Sequence, residues 1–237
     1  MPKKHRPKRG DRRAPTPAPH ENCQGWEYNK HPKRDLLTRR CSFLVRRLTR
    51  SPQQIADRHH YDTRPGHRFM FRGLAPQACP CLAGNYRGSS DCQALATYAV
   101  RVMQGGVEIF RGVAPDKVEE RMTALNADCH ALFATLPKWP DWQDALPNGL
   151  SRNVVLARIV EHLALLLETF FTIHPYANGN GHAGRLLLWV IMVRHGFRPT
   201  KWPLDESPEY DEAVQSHREG RPLLLQTYLY DAMVGKL

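Results

Sequence analysis

A chain of 237 residues is long enough to bury one domain with an appendage and short for two. Its apolar fraction, 41%, is modest, and 19 prolines imply that part of it does not pack. The longest apolar run, Leu186 to Val193, falls far short of the ~20 residues that span a bilayer, so no membrane partner is expected. The basic N-terminus has no apolar stretch behind it and does not read as a secretory signal, so the expected location is cytoplasmic.

Charge is unevenly placed. Residues 1–50 hold 15 Lys/Arg against Asp11, Glu21, Glu27 and Asp35, whereas the remainder holds 19 of each sign. The formal excess of +11 therefore sits in the first fifth of the chain. We divide the chain into a basic, proline-containing arm over 1–50, expected to be partly disordered, a helical and loop extension over 51–104, and a main domain over 105–237. The arm suits nucleic acid or an acidic partner as well as it suits plain solvation. No aromatic residue interrupts the first 25 positions, so a stacking platform is missing there.

In chain order, apolar Leu36, Leu37, Phe43, Leu44, Leu48 and Ile55 predict a helix with a basic outer face over 35–60, broken near Ser51 and Pro52. Residues 61–86, rich in Gly, Pro and Cys, read as loop. Residues 91–104 read as a helix closed by Gly105 and Gly106. "VEI" after the Gly-Gly step predicts a strand or hairpin near 107–111. "FRGLAP" at 71–76 returns as "FRGVAP" at 110–115, which is too little for a repeat architecture. Helices are expected from Pro115 to about 136, from an N-cap at Ser151 to Ile173, and from about 181 to Gly196, with two shorter ones around Gly220 and Pro222. A proline- and tryptophan-containing loop is expected over 138–151. The two central helices are apolar nearly all round, as buried ones are.

Six cysteines, at 23, 41, 79, 81, 92 and 129, are expected to be reduced thiols. "CPC" at 79–81 is too tight for a zinc knuckle, even with Cys92 or the pair His59 and His60 to complete a site.

The chemistry concentrates in "TIHPYANGNGHAGRLLL", residues 172–188. Pro175 stops the preceding helix at His174. The steps Asn178-Gly179 and Asn180-Gly181 tolerate positive φ and let backbone N–H groups converge at the start of the next helix, whose dipole favours an anion. Arg185, one turn in, can grip phosphate oxygens. His174 has an ordinary pKa suited to taking a proton near neutrality. The residues alone fit a phosphoryl-type transfer site or a polar helix–helix turn.

"HPYANGNGHAGR" resembles the signature of the Fic (Fic/Doc) family, H-x-F-x-(D/E)-G-N-(G/K)-R-x-x-R. "AGNYRG" at 83–88 and "VEIFRGVAPDKVEERM" at 107–122 resemble the family's approach to its target-docking flap, and the likeness runs from about 83 to 235. The resemblance implies an all-α domain with a small β-hairpin flap. It also implies a transferase that moves AMP from ATP, or a like group from another nucleotide triphosphate, onto a target hydroxyl, with Mg²⁺. By position, His174 is the implied base. Asn180, with the backbone of Gly179 and Gly181, forms the implied anion hole. His182, Gly184 and Arg185 complete the nucleotide contacts, with Arg185 on the distal phosphates.

Tyr176 replaces the anchoring phenylalanine, and Val107 to Arg111 would align the target by strand addition. Asn178 replaces the acidic metal ligand and so predicts weak Mg²⁺ binding. His182 replaces an arginine and predicts a pH-dependent cation. "SHREG" at 216–220 has one residue too few for the family's inhibitory pattern, so any restraint would come from a separate antitoxin chain. The alternative reading is a silent Fic-fold module that binds nucleic acid or an acidic partner through its arm.

Overall fold

The structure is a computed structural model that describes residues 23, 25–50, 61–104, 106–134, 151–199 and 210–234. The first 22 residues, the helix break at Ser51 and Pro52, His59 and His60, and the loop expected over 138–150 lie outside the described residues.

Seven helices of eight or more residues are described. They are α1 (Asp35–Arg50), α2 (Arg64–Phe71), α3 (Val118–Ala134), α4 (Arg152–Ile173), α5 (Asn180–Arg194), α6 (Tyr210–Arg218) and α7 (Leu223–Val234). The long helix α4 starts where Ser151 Oγ accepts from the Val154 N–H at 3.4 Å, as its N-cap position predicts. It packs on α3, α5, α6 and α7, while α5 also meets α1 and α2. Every residue of α5 except Gly181 and Arg194 is buried, which matches its all-round apolar sequence. Among the described residues the fold is all-α with one small hairpin. No helix among the described residues is long and apolar enough to cross a membrane.

Three expectations are corrected. Residues 61–86 contain helix α2: Pro65 sits in its first turn, where a missing N–H costs nothing. Gly66 leaves room for the Leu186 side chain of α5. The helix expected over 91–104 shrinks to one turn, Gln93–Ala96, followed by strand β1 (Arg101–Gln104). β1 pairs antiparallel with β2 (Val107–Arg111), and Gln104 faces Val107 across a two-residue Gly-Gly connection. A Gly-Gly step ends a helix or closes a hairpin equally well, and here Gly106 takes φ +83° for the turn. Finally, Cys23 is bonded to Cys79 and Cys81 to Cys92, at Cα separations of 6.2 and 5.6 Å, leaving Cys41 and Cys129 as buried free thiols. The cysteines far apart in sequence meet because the segment before α1 folds back over the turn after α2.

Leu37, Cys41, Leu44 and Leu48 form one buried stripe on α1, so the last third of the expected arm is packed helix. The two FRG-A-P copies differ: Phe71 ends α2, whereas Phe110 and Arg111 end β2.

Candidate active site

The loop between α4 and α5 is held from four sides. His174 caps α4 with φ +51°, the one non-glycine residue at positive φ among those described. An L-residue there is strained by about 1–2 kcal/mol, so its surroundings must hold it. Arg87 does so. It is 1% exposed and donates to four carbonyls: His174 (2.7 Å), Ile173 (2.9 Å), Val113 (2.8 Å) and Tyr98 (2.9 Å). One guanidinium thus ties the end of α4 to the chain on both sides of the hairpin, and its own N–H bonds Pro175 O at 2.8 Å.

His67 holds the middle of the loop. Its ring stacks on Tyr176 at 3.8 Å, with planes 3° apart. Nδ1 accepts from Gly84 N–H at 2.9 Å and Nε2 faces Asn178 O at 2.9 Å. A carbonyl can only accept, so these partners fix the neutral ring with its proton on Nε2. Burial pushes its pKa down to about 3, in keeping with that. The Tyr176 hydroxyl meets Thr63 Oγ1 at 2.6 Å, which supplies the partner a buried tyrosine needs.

Asn180 is 4% exposed. Its Oδ1 accepts from Tyr176 N–H and its Nδ2 donates to Tyr176 O, both at 2.9 Å. Its side chain therefore braces the loop. As at any helix start, the first N–H groups, of Asn180, Gly181 and His182, have no helical carbonyl behind them. Gly179, at φ +78°, is the N-cap, and a Cβ there would strike the Phe71 ring. Gly184 lies where α4 crosses α5: a Cβ would come 3.1 Å from Phe171 and 3.3 Å from Leu167, so its smallness serves helix packing. Arg185 is 2% exposed in the first turn and a half of α5.

The two motif departures have physical consequences. Asn178 Oδ1 accepts from Gly179 N–H at 2.7 Å, while Nδ2 donates to Trp26 O at 2.6 Å. The amide is spent on closing the loop and on the N-terminal segment. No group of three His, Cys, Asp or Glu among the described residues is placed to hold a metal ion. The loop's residues thus do not fit Mg²⁺, which prefers carboxylate oxygens in octahedral array. His182 is 5% exposed between the rings of Tyr28 (5.4 Å) and Phe71 (5.8 Å), both edge-on. Burial first, then the charge of Arg185, lowers its pKa to about 3. It is a neutral ring in an aromatic setting, not the pH-dependent cation expected from sequence.

On the open side, Phe110 of β2 lies 5.7 Å from the His174 ring, and the Arg218 guanidinium lies 5.3 Å over Phe110. Desolvation, then Arg87 and Arg218, outweigh a hydrogen bond to Phe171 O and lower the His174 pKa to about 4. Ser216 in "SHREG" is engaged locally, its hydroxyl donating to Arg221 O at 3.1 Å. Arg87, His67, Trp26, Tyr28 and Arg218 were not singled out by the sequence. Arg87 stands inside a stretch that was, "AGNYRG", and Arg218 inside another, "SHREG".

A strained histidine thus opens the loop that leads into α5, next to the hairpin. Residues 93–192 match the model of the Fic/DOC family. The match takes in the hairpin, α3, α4 and most of α5, which is 100 of the 237 residues.

Over 111 residues the chain is 39% identical to the protein adenylyltransferase fic-1 of Caenorhabditis elegans, which is 47% of this chain and 18% of that protein. It is 28% identical over 113 residues to the protein adenylyltransferase Fic of Nematostella vectensis, 47% of this chain and 22% of that protein. The chain thus spans 18 to 22% of the length of these relatives. The fold is similar to the N-terminal Fic domain of a VirB-translocated Bep effector protein from Bartonella quintana, with TM-score 0.53, 16% identity and coverage of 84% of this chain and 83% of that one. It is also similar to the BepC protein of Bartonella tribocorum with bound AMPPNP, with TM-score 0.50, 15% identity and coverage of 84% and 87%.

Proposed function

We propose that this chain is a Fic-type transferase that moves AMP from ATP onto a hydroxyl side chain of a target protein. One observation carries the reading. His174, neutral at physiological pH, caps α4 at the head of the loop that leads to the N-terminus of α5, and its ring lies 5.7 Å from Phe110 of the hairpin, where an acceptor would dock. In this reading the target segment adds to β2, Val107 to Arg111, by strand pairing. His174 takes the proton of its hydroxyl, the hydroxyl oxygen bonds the α-phosphorus, and pyrophosphate leaves. The N–H groups of Asn180, Gly181 and His182 steady the charge that develops on the phosphate, and Arg185 meets the distal phosphates. Because Asn178 is closed by hydrogen bonds, no step is assigned to Mg²⁺ on this chain's residues.

A second reading has its own support. The engaged amide of Asn178 and the neutral, aromatic-bound His182 remove two charges from the loop, as in a Fic-fold module without transfer activity. Incubating the protein with a cell lysate and each nucleotide triphosphate, beside His174→Ala, separates the two by mass spectrometry. Transfer predicts target peptides with a nucleotide monophosphate added by wild type only. The silent module predicts none.

A further inference from the structure

Helix α2 meets the loop through His67 and Phe71, and other residues of α1 and α2 are exposed. On α1, Arg39, Phe43, Arg46, Arg47 and Arg50 are exposed, and the helix has one acid, Asp35, in its first turn. On α2, Arg68 and Phe69 are exposed, followed by Arg72. Phe43 is 42% exposed and Phe69 39%, yet their rings lie 5.6 Å apart at 36°, side by side at the surface. The Arg47 guanidinium stands 5.9 Å from the Phe43 centroid.

Next to Phe69 runs a cleft of about 730 Å³ lined by Arg40, Arg64, Arg68 and Arg72, with Asp62 and Asp91. Its charges do not cancel internally. Asp62 is taken by Arg64, whose Nε lies 3.0 and 3.1 Å from its two oxygens. Arg40 Nη1 donates only to carbonyls, Met70 O at 2.9 Å and Arg72 O at 2.6 Å. Burial, then the charge of Arg72, lowers the Arg40 pKa. No described carboxylate lies within ion-pair distance of Arg68 or Arg72.

We propose that this face binds single-stranded nucleic acid, with bases against Phe43 and Phe69 and phosphates at Arg68 and Arg72. The two-part chemistry selects the ligand. An acidic peptide would use the arginines and leave the ring pair idle, and a duplex keeps its bases stacked inside. Accessible rings beside a basic groove are what an unpaired strand requires. The face is separate from the His174 loop and does not depend on the transferase reading.

The test is fluorescence anisotropy of the full chain with labelled single-stranded RNA and DNA of about 12 nucleotides across a salt series. Duplex DNA, polyglutamate and phosphatidylserine vesicles serve as competitors. Phe43→Ala/Phe69→Ala should weaken strand binding about tenfold or more. Arg68→Gln/Arg72→Gln should weaken it and reduce the slope of log affinity against log salt by about 1.4. All four side chains are exposed, so both variants should unfold at the wild-type temperature. Comparing RNA with DNA shows whether the 2′-hydroxyl is read. The proposal is overturned if the ring variant binds strands as tightly as wild type, or if polyglutamate or vesicles displace the strand through the same arginines as well as unlabelled strand does.

Discussion

Replacing Arg87 by methionine tests how the loop is held. The substitution keeps an unbranched apolar stem and removes all donors, leaving the carbonyls of Tyr98, Val113, Ile173 and His174 without theirs. A hydrogen bond from a charged donor is worth about 1.5–3 kcal/mol in isolation. The four share one group and cannot be added independently, so we expect a loss of about 4 kcal/mol, near the cost of stranding one half of a buried charged interaction. Urea unfolding followed by circular dichroism measures this. Amide exchange should accelerate most at His174, whose N–H is bonded to Phe170 O at 3.0 Å. Arg87→Lys, with three donors on one nitrogen, should fall between wild type and Arg87→Met. A loss under about 1 kcal/mol for Arg87→Met would refute the clasp, because even one orphaned buried carbonyl costs about that much.

Three further outcomes are expected. Cys23→Ser opens a bridge of sequence separation 56 and should cost about 4 kcal/mol by loop entropy, while Cys81→Ser opens one of separation 11 and should cost about 3, both read by denaturant unfolding without reductant. Stability should fall as the pH drops from 7 to 5: the folded pKa values of His67 and His182, about 3, lie below the unfolded 6.5, so the unfolded chain binds more protons in that window. The slope, from unfolding at several pH values, should approach about 1.4 kcal/mol per pH unit for each ring at the acid end. Asn178→Asp should destabilise by about 1–3 kcal/mol in thermal unfolding, because a carboxylate facing Trp26 O replaces a donor with a second acceptor.

The central helices were legible because α4 and α5 are apolar on all sides and are separated by His174-Pro175 and two Asn-Gly steps, signals that are local and unambiguous. The site's supports were not legible, for reasons of distance and of shared signals. Arg87 meets His174 across 87 residues and Trp26 meets Asn178 across 152, which no spacing rule reaches. Pro65 and Gly66 look like breakers, yet one suits a first turn and the other a close helix contact. Gly105-Gly106 marked a boundary without saying whether a helix ended or a hairpin turned. The residue types of Asn178, Asn180 and His182 suggested ligands and gave no sign of the partners these side chains find, the Trp26 and Tyr176 carbonyls and the Tyr28 ring.

The most direct test of the transferase reading is to offer the protein and a target-rich lysate ATP labelled on the α-phosphate or, separately, on the γ-phosphate. The account predicts that α-label, and not γ-label, becomes fixed on protein, and that His174→Ala abolishes it while keeping the wild-type unfolding curve. Label fixed equally by His174→Ala, or fixed from the γ-position, would contradict it.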